Sequence, residues 1–220
     1  MKTNPILWAV ASVGFLFFLA TSKFSQKVFV SIGGPEKCSD CRVFAEADKN
    51  APENAVVFLG DSMFSRMQEN SIVSPAVNYS IGGEDSLGLA RRVRDYHSLS
   101  NARAVVINGR VNDVHHGVSR QGSIKALKEI IDAIPTNVPI FVVLILPTSQ
   151  FPMQKIDALN AEILKLPRVR FIDARYLGSD GALRPEYDFG DKLHLSALGM
   201  KLLTSQIRRE LNPFLQARRN

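Results

Sequence analysis

From residue 55 onward, short runs rich in Val, Ile, Leu and Phe alternate with longer stretches of helical periodicity. The apolar runs fall at residues 55–60, 76–81, 104–108, 140–146 and 169–172, and the helical stretches between them at 63–70, 86–97, 123–134 and 154–166. A last helix is expected over 196–214, with Leu198, Leu202, Leu203 and Ile207 on one stripe. Strands separated by helices of this length form βαβ units, which need a parallel sheet covered on both faces. The run Phe141-Val142-Val143-Leu144-Ile145-Leu146 has no polar alternation, as expected of a strand buried on both sides. The expected architecture is a single three-layer α/β/α sandwich over residues 55–220. A chain of 220 residues suffices for one such domain with a large core.

What precedes the domain reads differently. After Lys2, residues 5–20 are mostly apolar and end at Thr21, Ser22 and Lys23. The run is about 16 residues, short of the ~20 of a comfortable membrane span. Residues 1–22 therefore read as a signal peptide or a short signal anchor and not as a buried core helix, with retention by an uncleaved anchor favoured over release. On that reading the domain sits outside the cytoplasm, periplasmic or extracellular, and is secreted if the segment is cleaved. Residues 23–54 read as a linker, carrying Gly33, Gly34, Pro35 and Pro52. Cys38 and Cys41 stand in this linker in C-x-x-C spacing. Two thiols fall short of the four ligands of a structural zinc site, so a local disulfide in an oxidising compartment is expected.

The formal net charge of +6 is concentrated in Arg91, Arg92, Arg94, Arg208, Arg209, Arg218 and Arg219. Without aromatic-rich basic strands or zinc spacing, these read as solvated helix faces and not as a nucleic-acid surface.

In parallel α/β sheets ligands bind at the carboxyl ends of the strands. That rule selects Gly60-Asp61-Ser62, Gly82-Gly83, Gly109 to Asp113, and Pro147-Thr148. A serine hydroxyl becomes a useful nucleophile only when a base takes its proton. Of the four histidines, His97 ends an expected helix and His115-His116 share a loop. His194 lies in Asp191-Lys192-Leu193-His194, where Asp191 can meet the imidazole of its own turn. Glycine amides at a strand end and the Asn112 side chain can stabilise a developing oxyanion. Each feature alone also fits ordinary turn chemistry.

Taken in order, Gly60-Asp61-Ser62, Asn78-Tyr79-Ser80-Ile81-Gly82-Gly83-Glu84, Asn112-Asp113 and Asp191-Lys192-Leu193-His194-Leu195-Ser196 resemble the blocks of the SGNH (GDSL-type) hydrolases. The resemblance covers about two thirds of the chain, residues 55–205. It implies a flavodoxin-like α/β/α fold and ester hydrolysis through an acyl-serine. It assigns Ser62 as nucleophile, His194 with Asp191 as the rest of the triad, and the Ser62 amide, the Gly83 amide and the Asn112 side chain as the oxyanion hole. Gly83 is preferred to Gly82 because it directly precedes the acidic Glu84, as the family's glycine commonly precedes Asp. The chain departs from the pattern at Arg110, where the family has Gly two residues before the Asn. Arg110 is accordingly expected to bind an anionic or polyhydroxylated part of the substrate.

The mechanism needs no metal or organic cofactor. The expected substrate is a small-molecule, lipid or acylated-sugar ester, including an acetylated envelope sugar. The same triad also serves an O-acyltransferase acting on an envelope polysaccharide, and the fold alone could serve a non-catalytic binding domain. Neither G-x-S-x-G, a Walker motif nor H-E-x-x-H occurs, which excludes the α/β-hydrolase, nucleotide and zinc-protease readings.

Overall fold

A computed structural model describes residues 39–217. Strands β1 (Val56–Leu59), β2 (Ala76–Asn78), β3 (Ala104–Asn108), β4 (Ile140–Val143) and β5 (Val169–Ile172) form one sheet in the order β2-β1-β3-β4-β5. Every adjacent pair is parallel, with Phe58 opposite both Asn78 and Val106. The chain steps from β1 to β2 on one side and then returns to place β3 on the other. The β1/β3 boundary is thus the topological switch point, where the carboxyl ends of the strands leave a crevice.

Period-two alternation divides the strand residues between two cores. Val57, Leu59, Val105, Ile107, Ile140 and Val142 face one side. There they meet Leu89 of α3 (Ser86–Arg92), Leu127, Ile130 and Ile131 of α5 (Arg120–Asp132), and Ile156, Leu159 and Ile163 of α6 (Met153–Ile163). Val56, Phe58, Val106, Phe141 and Val143 face the other side, against Phe64 of α2 (Ser62–Ser65) and the long α7 (Ala197–Ala217). The expected three-layer sandwich is the observed one.

Several boundaries differ from the sequence pattern for physical reasons. The helix expected over 63–70 is the single turn α2 followed by a 3₁₀ turn at Glu69–Ser71. The apolar run 140–146 outlasts its strand, whose ladder ends at Val143. Beyond it the buried Asn160 side chain takes the place of a neighbouring strand. Its Oδ1 accepts from the Ile145 amide at 2.9 Å, and its Nδ2 donates to the Ile145 carbonyl at 2.9 Å. Gly109 is obligatory beside this segment, since a Cβ there would lie 2.5 Å from the Ile145 nitrogen. In α7 the buried stripe is Leu203, Ile207, Leu211 and Leu215, while Leu198 is 49% exposed. The first turn of α7 precedes its contact with the sheet.

The segment expected to be linker contains α1 (Ser39–Asp48), which docks on the domain. Phe44 packs against the Tyr79 ring at 5.7 Å between centroids. The buried Asp48 accepts hydrogen bonds from the Tyr79 hydroxyl and from the His97 and Ser98 amides. Cys41 is disulfide-bonded, while Cys38 and the expected signal segment 1–22 lie outside the described residues. Among those described, no helix is long and apolar enough to cross a membrane.

The basic residues also separate. Arg91, Arg94, Arg208 and Arg209 are exposed as expected, but Arg92 is only 3% exposed. Its guanidinium meets both oxygens of the buried Glu84 at 2.6 Å and donates to the Tyr79 carbonyl at 2.7 Å and to the Tyr96 hydroxyl. Burial alone would lower the Arg92 pKa, but the Glu84 carboxylate outweighs it and holds the group charged. Arg218 and Arg219 lie outside the described residues.

Candidate active site

The turn leaving β1 is shaped by Asp61, which is fully buried. As N-cap of α2 it accepts from the Met63 amide at 3.0 Å, and it accepts again from Asn108 Nδ2 at 2.6 Å. This cap satisfies an otherwise unpaired helix amide and fixes Ser62 at the first position of the turn. The Ser62 hydroxyl lies 2.8 Å from His194 Nε2.

His194 is held from behind by its own turn. Its Nδ1 is 2.6 Å from Asp191 Oδ2, and Asp191 Oδ1 accepts from the Leu193 and His194 amides at 3.0 and 2.8 Å. Burial would raise the Asp191 pKa, but these amide and imidazole donors together bring it below the usual aspartate value. With the carboxylate ionised, Nδ1 carries the ring proton and Nε2 is left to accept from the serine. The turn is anchored on the opposite side by Thr148, whose hydroxyl donates to the Lys192 carbonyl, and by Gln150, whose amide donates to the Asp191 carbonyl. Ser62, Asp191 and His194, named from sequence, thus converge across 132 positions of chain.

Gly82 and Gly83 form the turn after β2. The only atom within 4 Å of a Cβ built at Gly82 is Ser62 Cβ, at 3.9 Å, so the glycine pair lies against the serine. Gly83 has φ +74°, a left-handed conformation that glycine adopts without strain. Neither the Ser62 nor the Gly83 amide enters a backbone hydrogen bond of the surrounding turns. Asn112 opens α4 (Asn112–His115), is buried, and donates from Nδ2 to the Glu84 carbonyl at 3.2 Å. That bond uses one of the two N–H groups of its amide.

Arg110, expected from sequence to bind substrate, is held in a dense set of buried contacts. Its side chain is fully buried and lines the small cavity next to the Ser62 turn instead of an exposed cleft wall. Nη2 donates to the carbonyls of Glu84 and Asp85 at 3.0 and 2.6 Å, Nη1 donates to Asn108 Oδ1 at 3.3 Å, and Glu84 Oε2 lies 3.5 Å away. Its φ is +64°, so it adopts the left-handed backbone that glycine favours. The extra residue type is accommodated by buried carbonyls and a carboxylate. The outcome is a continuous polar chain from Asp61 through Asn108 and Arg110 to Glu84 and Asn112.

Sequence reasoning missed Asp61, Asn108 and Glu84 as shaping residues. Asp61 and Asn108 were accessible as polar groups at strand ends. The Glu84–Arg92 pairing had no local signature. Away from the triad, His116 Nδ1 faces Asp85 Oδ2 at 3.1 Å, and His115 lies on the Phe151 ring at 5.5 Å. No cluster of three or more metal-binding side chains occurs among the described residues.

The chain is similar to known proteins in sequence and in fold. The model of the GDSL-like lipase/acylhydrolase family matches residues 57–202. The platelet-activating factor acetylhydrolase IB subunit alpha1 of Rattus norvegicus is 30% identical over 171 residues, covering 70% of this chain and 73% of the relative. The Homo sapiens subunit is 29% identical with the same coverage. In three dimensions the chain resembles a GDSL-like lipase from Bacteroides thetaiotaomicron, with a TM-score of 0.68 at 22% identity over 79% of this chain and 97% of that one. It also resembles a family 3 carbohydrate esterase from Talaromyces cellulolyticus, with a TM-score of 0.60 at 17% identity over 74% and 99% of the two chains. The structural likenesses carry the fold, and the family match carries the kinship. The protein belongs to the GDSL-like lipase/acylhydrolase family, the SGNH hydrolases, and is an ester-hydrolysing enzyme.

Proposed function

We propose that the protein is a serine esterase cleaving short-chain carboxylic esters, with Ser62 as nucleophile, His194 as general base and acid, and Asp191 as the orienting carboxylate. The observation that carries this reading is the unbroken relay of 2.8 Å from Ser62 to His194 and 2.6 Å from His194 to Asp191. His194 Nε2 takes the Ser62 proton as Oγ bonds to the ester carbon, and the carbonyl oxygen gains the negative charge. The Ser62 and Gly83 amides and the free N–H of Asn112 stabilise that oxyanion. Collapse expels the alcohol, protonated by His194, and leaves an acyl-serine. Water then gives a proton to His194, attacks the acyl carbon, and releases the acid while Ser62 regains its proton. Replacing Asn112 by Ala is expected to lower kcat about 10²–10³-fold with little change in KM. Steady-state kinetics check this, and an equal rise in KM at constant kcat contradicts it.

A cavity of about 40 Å³ lies next to the turn that carries Ser62, lined by Asp61, Met63, Phe64, Arg110, Val111 and Leu193 among others, and we assign it to the acyl group. Since one water needs about 10–15 Å³ by this measure, it has room for roughly three waters, the size of a two- or three-carbon acyl group. The acetylhydrolase name of the rat relative agrees with that size. Across a chain-length series of one alcohol, kcat/KM for the acetyl ester is expected to exceed that for the octanoyl ester at least about tenfold, because longer chains overpack the site. Equal or higher activity on the octanoyl ester contradicts the short-acyl reading.

We also place the reaction outside the cytoplasm, behind the apolar segment of residues 5–20. The bonded state of Cys41 supports an oxidising compartment. Fractionation of cells making the full chain tests this, and recovery in the soluble cytoplasmic fraction contradicts it.

A further inference from the structure

One edge of the site carries two side chains that neither the triad nor the acyl cavity uses. Arg66 follows Ser62 by four residues, one helical turn, and its side chain is exposed. Phe189 is 67% exposed, the most open large apolar side chain among the described residues. Its amide donates to the His194 carbonyl at 2.9 Å, so the ring is tied to the same backbone that holds the imidazole. The loop is fixed from beneath by Asp188, whose Oδ1 accepts from the Gly190 and Lys192 amides at 2.8 and 3.0 Å. The Arg66 guanidinium lies over the Phe189 ring, 5.6 Å from its centroid.

Both groups belong to the segments that carry the Ser62–His194 pair, Arg66 closing the turn that Ser62 opens and Phe189 bonded to the His194 carbonyl, and these segments lie on the α7 side of the sheet. Phe64 of α2 and Tyr187 just before the loop both pack in that core. The acyl cavity shares Phe64 and Leu146 with that core, but neither Arg66 nor Phe189 lines it. The Arg66–Phe189 edge is therefore the flank left for the alcohol half of an ester. Arg66 forms no ion pair among the described residues, although ten other pairs do form. Asp188, the nearest acid of the loop by sequence, forms no ion pair with Arg66, and its Oδ1 accepts from two backbone amides. An exposed cation held over an aromatic face, without a carboxylate partner, is poised to receive an anion.

We infer that Arg66 and Phe189 form a subsite for an anionic group, phosphate or carboxylate, carried by the alcohol half of the ester. The inference rests on the esterase reading of Ser62. In it Arg66 supplies charge-assisted hydrogen bonds to the anion, and Phe189 covers the apolar atoms between anion and ester. Lys192, exposed and next to Asp191, adds to the positive potential of this flank.

The test compares acetyl esters of a neutral alcohol with two anionic ones, 4-acetoxybenzoate and 1-acetylglycerol-3-phosphate, in wild type, Arg66→Gln and Arg66→Lys. The readout is the ratio of kcat/KM for the anionic ester to that for phenyl acetate. In Arg66→Gln this ratio is expected to fall about tenfold, through KM, and in Arg66→Lys to stay within about threefold of wild type. The effect is expected to shrink as salt is raised. The ester whose ratio falls more identifies carboxylate or phosphate as the favoured anion. A ratio unchanged in Arg66→Gln for both anionic esters overturns the subsite. Loss of the esterase reading is distinguishable, because wild type then fails on phenyl acetate as well.

Discussion

Replacing Ser62 by Ala is expected to lower kcat by about 10⁴–10⁶ while thermal unfolding shifts by no more than about 2 °C. The separation of the two effects follows from how the serine is held. The turn is fixed by Asp61 through the Met63 amide and Asn108, and Phe64 anchors α2 in the core. The Ser62 hydroxyl itself contributes a single hydrogen bond, to a partly exposed imidazole. Removing it leaves no unpaired buried group, so the fold loses little. It does remove the only atom of the relay able to form the acyl intermediate. His194→Ala should cause a loss of the same order, and the double variant should lose little more, because groups that act as a unit are not additive. Roughly additive losses would instead mean that serine and histidine work separately.

Glu84→Ala is expected to be the most destabilising exchange near the site, by about 3–5 kcal/mol, or roughly 6–20 °C in Tm. Glu84 is 2% exposed and is shared by two buried guanidinium groups, Arg92 at 2.6 Å and Arg110 at 3.5 Å. Truncation strands both cations in the interior, and no other carboxylate is paired with either of them among the described residues. The loss of the pair costs less than the desolvation left behind. The same loop carries Gly83 and receives the Asn112 side chain at its carbonyl, so kcat should fall along with stability. Glu84→Gln, which keeps the shape and one acceptor, should cost less. Calorimetry checks the ordering, and a Tm within 2 °C of wild type for Glu84→Ala contradicts the account of this network.

How much of this was readable in the chain depends on how local each signal is. The five strands were legible because both faces of a parallel sheet are buried, and β5 was expected at its observed bounds. The triad was legible because Asp191 and His194 meet within one turn, and because Ser62 follows a strand. The docking of α1 was hidden, since it depends on Asp48 meeting the amides of His97 and Ser98 some 50 positions later. Arg92 was read as surface because a charged helix residue usually is. Its partner Glu84 lies eight positions away, across the start of α3. Arg110 drew notice only because it stands where the family has Gly. Its left-handed backbone and its hydrogen bonds to the carbonyls of Glu84 and Asp85, some 25 positions earlier, have no local signature. Leu198 was assigned to the buried stripe of α7 because periodicity specifies a face but not where contact begins.

The central claim is that Ser62 is a nucleophile activated by His194, and the most direct measurement is covalent labelling by a fluorophosphonate with mass spectrometry of the digested protein. Wild type is expected to take up one adduct per chain, on the peptide containing Ser62, and folded Ser62→Ala to take up none. Folded wild type that stays unlabelled, or an adduct that persists at equal stoichiometry in Ser62→Ala, contradicts it.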